Sequence, residues 1–127
     1  MKVLVIEDNP RIRDLFAEFL EVLGYEADVA VDGREGVARF DPIAHQVVVT
    51  DCVMPGLTGF DVAETIRARS WTTPIVMICA ADEPHHERRA AQAGVRFLRK
   101  PISFAQFKAT LAEVVQHAGA GREGSRG

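Results

Sequence analysis

The sequence predicts an α/β domain built on a doubly wound parallel sheet of five strands. Three features point there. Apolar runs of strand length recur along the chain, and each is followed by a stretch with helical periodicity or helix caps. Three of the runs are wholly apolar, while two mix polar with apolar residues, as the centre and the edges of a sheet covered on both faces would.

The first central strand is Val3–Ile6. Asn9-Pro10 then supplies a cap and a proline at the first helical position, and Ile12, Leu15, Phe16, Phe19, Leu20 and Leu23 repeat at the 3.6-residue period of a helix packed on the sheet. Gly24 follows, where a left-handed residue closes a helix. Glu26–Val31 is a mixed edge strand, and Asp32 caps a short helix over about Gly33–Phe40. Val47–Val49 is the second central strand, with a helix capped by Thr58 over Gly59–Arg69, and Ile75–Ile78 is the third. Residues 82–94 read as a helix whose only apolar side chains are alanines, so it buries little area and is the most weakly anchored element. Gly94 ends it, and Val95–Arg99 is the other edge strand. Ser103 with Gln106 makes a capping box, Ile102 can staple onto Phe107, and Phe104, Phe107, Leu111 and Val114 form the last apolar stripe. The domain is expected over residues 1–118. Residues 119–127, GAGREGSRG, carry four glycines and are expected to be a flexible tail.

The totals fit one cytoplasmic domain. A chain of 127 residues, 47% hydrophobic and 26% charged, is long enough for one real core and too short for two ordinary ones. A net charge of -3 argues against broad adhesion to nucleic acid, and no apolar run suggests membrane insertion. MKVLVIEDNP is no signal peptide. Cys52 and Cys79 form no CxxC pair and, without an export signal, are expected as reduced thiols.

Chemistry collects at the strand ends. In a doubly wound sheet, ligands bind outside the carboxyl ends of the strands. There stand Glu7-Asp8 after the first strand, Asp51 after the third and Lys100-Pro101 after the fifth. Three clustered carboxylates raise one another's pKa unless a cation neutralises them, and an all-oxygen set without a His or Cys pattern favours Mg²⁺. With Lys100 as a second positive charge, the site can hold a phosphoryl group while Asp51 attacks as nucleophile, giving an aspartyl phosphate.

The acidic pair Glu7-Asp8, the Asp51-x-x-Met54-Pro55-x-x-x-Gly59 loop and Lys100-Pro101, in that order, resemble the receiver domains of two-component response regulators, including the single-domain chemotaxis type. The resemblance spans residues 2 to about 117. It implies a flavodoxin-like sheet of strand order 2-1-3-4-5, with Asp51 as phosphoacceptor and Lys100 on the phosphoryl group. It further implies Mg²⁺ on Asp8, Asp51 and the Val53 carbonyl, Glu7 acting largely through water, and often a cis Lys100-Pro101 bond. A histidine kinase or histidine phosphotransfer protein would be the phosphodonor, and an output protein would dock on the fourth helix, last strand and last helix.

The chain departs from that pattern after the fourth strand. Relatives usually carry Thr or Ser there, followed by a small residue, whereas this chain has Cys79-Ala80. Phosphoryl contact would come from Cys79 and the Ala80 backbone, and a thiol, the weaker donor, would weaken the switch without abolishing phosphoryl acceptance. Phe97, at the aromatic switch position, offers no hydroxyl. Cys79 reads first as a small buried hydrophobe, with a redox sensor as the sharper alternative. Alternation aims Cys52 away from Asp51 and argues against a Cys52–Cys79 disulfide. His85 and His86, adjacent on a helix, cannot form an i, i+4 metal pair and read as solvated, as does the Glu87, Arg88, Arg89 and Gln92 face.

Among rival functions, a haloacid-dehalogenase-type phosphatase needs an acid two residues after the nucleophile, where Val53 stands. A flavodoxin-like cofactor binder would meet repulsion from Glu7-Asp8. The remaining alternatives are a degenerate receiver that binds partners without phosphorylation, under redox influence from Cys79, and the receiver of a larger transcriptional regulator. A stand-alone regulator or phosphorelay carrier is the expectation.

Overall fold

The structure, a computed structural model, describes residues 1–80 and 84–126, and the side chains of all of these but 84, 85 and 117–126. Strands and helices alternate as β1 (Lys2–Ile6), α1 (Pro10–Val22), β2 (Glu26–Ala30), α2 (Gly33–Arg39), β3 (His45–Asp51), α3 (Gly59–Arg69), β4 (Ile75–Cys79), α4 (Pro84–Gln92), β5 (Arg96–Arg99) and α5 (Phe104–Arg126). The strands pair in parallel in the order β2-β1-β3-β4-β5. The three apolar runs are therefore central and the two mixed ones lie at the edges, as their composition predicts.

Period-two alternation divides the central strands between two cores. Leu4, Ile6, Val48, Ile75 and Met77 pack with Phe60, Val62 and Ile66 of α3 and with Ala90 of α4. Val3, Val5, Val47, Val49, Val76 and Ile78 face Phe16 and Leu20 of α1 and Phe107 and Leu111 of α5. Leu15, counted with the α1 stripe, stands at its rim and is 42% exposed. The expected caps form: Asn9 Oδ1 accepts from the Arg11 and Ile12 N–H groups, Thr58 makes a full capping box with Asp61, and Ser103 and Gln106 bond reciprocally. Gly24 and Gly94 take φ of +85° and +68° after α1 and α4.

α5 departs from the sequence expectation, and α4 makes contacts that the sequence did not show. α4 does bury an alanine, Ala90, but it has other anchors: His86 and the Arg89 guanidinium lie on the Phe60 ring at 5.4 and 4.5 Å, and Glu87 pairs with Arg99 at 3.1 Å. Residues 82 and 83 of the predicted helix lie outside the described residues. α5 continues through Arg126, past residue 118, where the glycines predicted a tail. Each glycine costs a helix about 1 kcal/mol relative to alanine. No proline interrupts this stretch, so the backbone pattern nucleated over Phe104–Leu111 propagates through it.

Arg67, only 7% exposed, holds the amino-terminal edge together. Its guanidinium donates to the carbonyls of Ala93, Gly94, Ser70 and Thr73 at 2.7–3.2 Å, joining the end of α3 to the turn after α4. Periodicity does not announce this residue, because a fork of donors on four carbonyls is a tertiary property. Arg67→Ala is expected to destabilise the domain by about 3 kcal/mol, through the carbonyls it orphans. Thermal unfolding should then show Tm lower by roughly 10 °C.

Candidate functional site

The sheet order brings the predicted residues to one edge. Glu7 follows β1 directly, Asp51 ends β3, and Lys100 follows β5. Lys100 Nζ stands 3.3 Å from Asp51 Oδ1 and 3.4 Å from Glu7 Oε1. Carboxylate oxygens of Glu7, Asp8 and Asp51 all lie within 4.8 Å of one another, with Glu7 buried, Asp51 partly buried and Asp8 exposed.

Glu7 is the electrostatic extreme of the cluster. Its side chain is 1% exposed, and its Oε2 is buried without a hydrogen-bond partner. Its carboxyl is pushed up to about 8, chiefly by burial, then by a hydrogen bond and like charge from Asp51; Lys100 pulls it down and Asp8 adds a smaller upward push. An orphaned oxygen among acids with an all-oxygen donor set is the environment a hard divalent cation satisfies.

The backbone around Asp51 is fixed on several sides. Its Oδ1 accepts from the Cys52 N–H at 2.8 Å, and the Gly59 N–H donates to the Cys52 carbonyl at 2.8 Å. A Cβ at Gly59 would fall 2.1 Å from the Asp51 carbonyl oxygen, so α3 can begin this close to the strand end only with glycine. Arg13 Nη1 donates to the Glu7 carbonyl at 3.0 Å, a brace that sequence reading missed because Arg13 belongs to no strand-end motif. The Lys100 N–H donates to the Cys79 carbonyl at 2.8 Å, and the Lys100-Pro101 bond is cis. Asp51, Cys52, Val53, Cys79, Ala80, His86 and Lys100 line one cavity of about 320 Å³.

The family model of the response regulator receiver domain matches residues 3–112. The chain belongs to that family. Sensory transduction protein RegX3 of Mycobacterium tuberculosis is 32% identical over 118 residues, 92% of this chain and 52% of RegX3. The chain thus spans about half the length of the curated relatives it matches. Among solved structures, Vibrio cholerae chemotaxis protein CheY4 superposes with TM-score 0.83 at 32% identity, covering 89% of this chain and 97% of that one. NtrX from Brucella abortus gives TM-score 0.90 at 26% identity, covering 98% of this chain but 29% of NtrX. Receiver domains are signalling domains of two-component systems rather than classical enzymes.

This receiver domain departs from its own sequence pattern at the cysteines. Cys52 and Cys79 are joined by a disulfide, with Cα atoms 4.9 Å apart, and are not reduced thiols. Alternation does turn Cys52 away from Asp51, into the core shared with Phe60 and Ile66. Cys79 occupies that same core, and the register Asp51↔Ile78 sets the next two residues, Cys52 and Cys79, side by side. The missing information was register, which periodicity within one strand does not carry. In the disulfide Cys79 has no S–H, so the expected thiol contact to a phosphoryl group is not available in this form.

His86 is likewise not a solvated residue: it is partly buried, with Nδ1 3.9 Å from Cys52 Sγ. The His85 side chain lies outside the described residues. Phe97 is partly buried against the Phe60 core, with the Arg99 guanidinium 6.0 Å from its ring centre.

Glu7 gives the site a pH signature in chelator. A proton held more tightly folded than unfolded contributes stability that is fully present below the ordinary value of 4.5 and lost as pH rises through about 8. Urea midpoints measured in EDTA should therefore fall for wild type relative to Glu7→Gln across that window, leaving the variant the more stable at its alkaline end. Parallel curves would show that Glu7 does not hold this proton.

Proposed function

We propose that Asp51 accepts a phosphoryl group from a phosphohistidine, with Mg²⁺, and that the domain passes the signal on through protein contacts. The observation that carries this reading is the Lys100 ammonium within 3.4 Å of both Asp51 and the buried Glu7, beside an oxygen without a partner. Glu7, Asp8, Asp51 and the Val53 carbonyl would hold the ion, and bound Mg²⁺ would neutralise the carboxylates and the charge on the transferring oxygens.

The chain's own groups do the rest. The Asp51 carboxylate attacks phosphorus as the N–P bond of the phosphohistidine breaks, and the imidazole leaves with the electron pair. Lys100 faces the charge gathering on the phosphoryl oxygens, and the Cys52 N–H holds the acceptor carboxylate in place. The Ala80 backbone and Cys79, both lining the cavity, would contact the bound phosphoryl group, Cys79 as a donor only when reduced. Phe97, packed against the core that includes Ala90 of α4, would relay a change at the mouth.

A histidine kinase or histidine phosphotransfer protein is the donor in this proposal, and the surface of α4, β5 and α5 is where an output partner docks. Among the described residues no helix is long and apolar enough to cross a membrane. The greater length of RegX3 and NtrX favours, as a second reading, the receiver part of a longer regulator over a stand-alone one.

Intact mass after incubation with acetyl phosphate and Mg²⁺ tests the acceptor. One phosphoryl group should be gained, and Asp51→Asn should gain none. Lys100→Ala should react roughly 100–1,000-fold more slowly, the usual effect of removing a charge-stabilising donor. A gain that persists in Asp51→Asn would place the acceptor elsewhere.

A further inference from the structure

The disulfide lies where the proposed chemistry takes place, and the site as described has no use for it. Cys52 and Cys79 are 1% and 0% exposed, yet both line the 320 Å³ cavity that also holds Asp51 and Lys100. His86 adds a ring nitrogen beside Cys52 Sγ, and the two sulfurs and a ring nitrogen all lie within 4.8 Å of one another. With the sulfurs bonded to each other they are not metal ligands, since the thiolate is the ligand form.

Each cysteine is also tied to a reacting residue through its backbone. Cys52 donates its N–H to Asp51 Oδ1, and Cys79 accepts the Lys100 N–H on its carbonyl. The disulfide therefore closes a short path between the acceptor and the ammonium, covalent from Asp51 to Cys79 and completed by the Lys100 N–H bond to the Cys79 carbonyl; the two charged groups stand only 3.3 Å apart. A phosphoryl group entering between them must widen that gap, and a bond joining the two flanking backbones resists it.

We propose that Cys52–Cys79 is a reversible thiol–disulfide exchange site, opened by small thiols through the cavity it shares with Asp51, and that its closed form slows phosphorylation of Asp51. The second half rests on the acceptor role proposed for Asp51.

A small thiol such as glutathione, as thiolate, attacks Cys79 Sγ. The S–S bond breaks, and the electron pair leaves on Cys52 Sγ, which takes up a proton; as a thiol or thiolate it can hydrogen-bond to His86 Nδ1. A second thiolate attacks the external sulfur of the mixed disulfide and releases Cys79. Two thiols are oxidised to one disulfide, and the protein gains two electrons and two protons. A disulfide of the same small thiol reverses the sequence.

The test uses the whole chain. It is equilibrated in buffers of glutathione and glutathione disulfide, alkylated with N-ethylmaleimide under native and denaturing conditions, and weighed intact. Denatured samples should carry no label at the oxidising end and two at the reducing end. Two labels throughout would mean that no disulfide forms, and none throughout would mean a bond that glutathione does not reach; either overturns the exchange site.

Oxidised and reduced samples, freed of glutathione, are then given acetyl phosphate and Mg²⁺. The reduced form should react about tenfold faster, the scale on which small misplacements act at a reacting centre. Cys52→Ala, which leaves the Cys52 backbone N–H in place, should react at one rate regardless of redox buffer. Equal rates in wild type, or a faster oxidised form, would overturn the latch without reference to any variant. No phosphoryl gain in either form would overturn the acceptor role and the latch with it, whereas the alkylation pattern judges the exchange site on its own.

Discussion

The site rests on one electrostatic constraint: three carboxylates converge where β1 and β3 end, and one of them, Glu7, is fully buried. Coulomb repulsion at such separations is several kcal/mol in a partly buried setting. The chain offsets part of it with Lys100, carried in from the far side of the sheet by β5. The offset is incomplete, since Glu7 Oε2 remains unsatisfied and its carboxyl is pushed up to about 8. A site with this residual demand favours any ligand that brings positive charge, and a cation seated there supplies the charge that phosphoryl oxygens require.

Maintaining that constraint explains features that core packing alone would not select. Gly59 is needed because its Cβ would strike the Asp51 carbonyl, and Arg13 fixes the Glu7 carbonyl from α1. The central strands are covered on both faces by two separate cores, so their ends are held far more firmly than the loops that leave them. The acids are thus mounted at the ends of the central strands β1 and β3, while Lys100 across the mouth follows the edge strand β5. α4 shows the contrast. Its attachments are a small buried side chain, ring contacts to Phe60 and an exposed ion pair, each worth about a kcal/mol or less.

Most of this architecture was legible because it is encoded locally. Strand ends, caps and glycines report on a few neighbouring residues, and the acids at Glu7, Asp8 and Asp51 are read simply by noting which strands they terminate. The same reasoning missed what depends on two distant segments meeting. Arg67 gains its role only when the turns after α3 and α4 come together, and His86 gains its own only when α4 lies over Phe60. The helical run through Arg126 was missed for a different reason: glycine content measures a local cost and says nothing of a helix already nucleated upstream.

The cysteine pair shows how one distance-independent rule can mislead. Alternation correctly sends Asp51 and Cys52 to opposite faces, but a disulfide depends on whether Cys52 and Cys79 share a face and a level. Those are settled by the β3–β4 register, in which Asp51 pairs with Ile78. A slip of one residue would have put Cys79 level with Asp51 and left Cys52 without a sulfur neighbour on its face. The β3–β4 register aligns the two cysteines and the β4–β5 register, in which Cys79 pairs with Arg99, sets the Cys79 carbonyl to receive the Lys100 N–H, so Cys79 on β4 is common to the covalent link and to the placing of Lys100. Cys79 is thus the residue through which the proposed opening of the disulfide would reach the charge at the mouth.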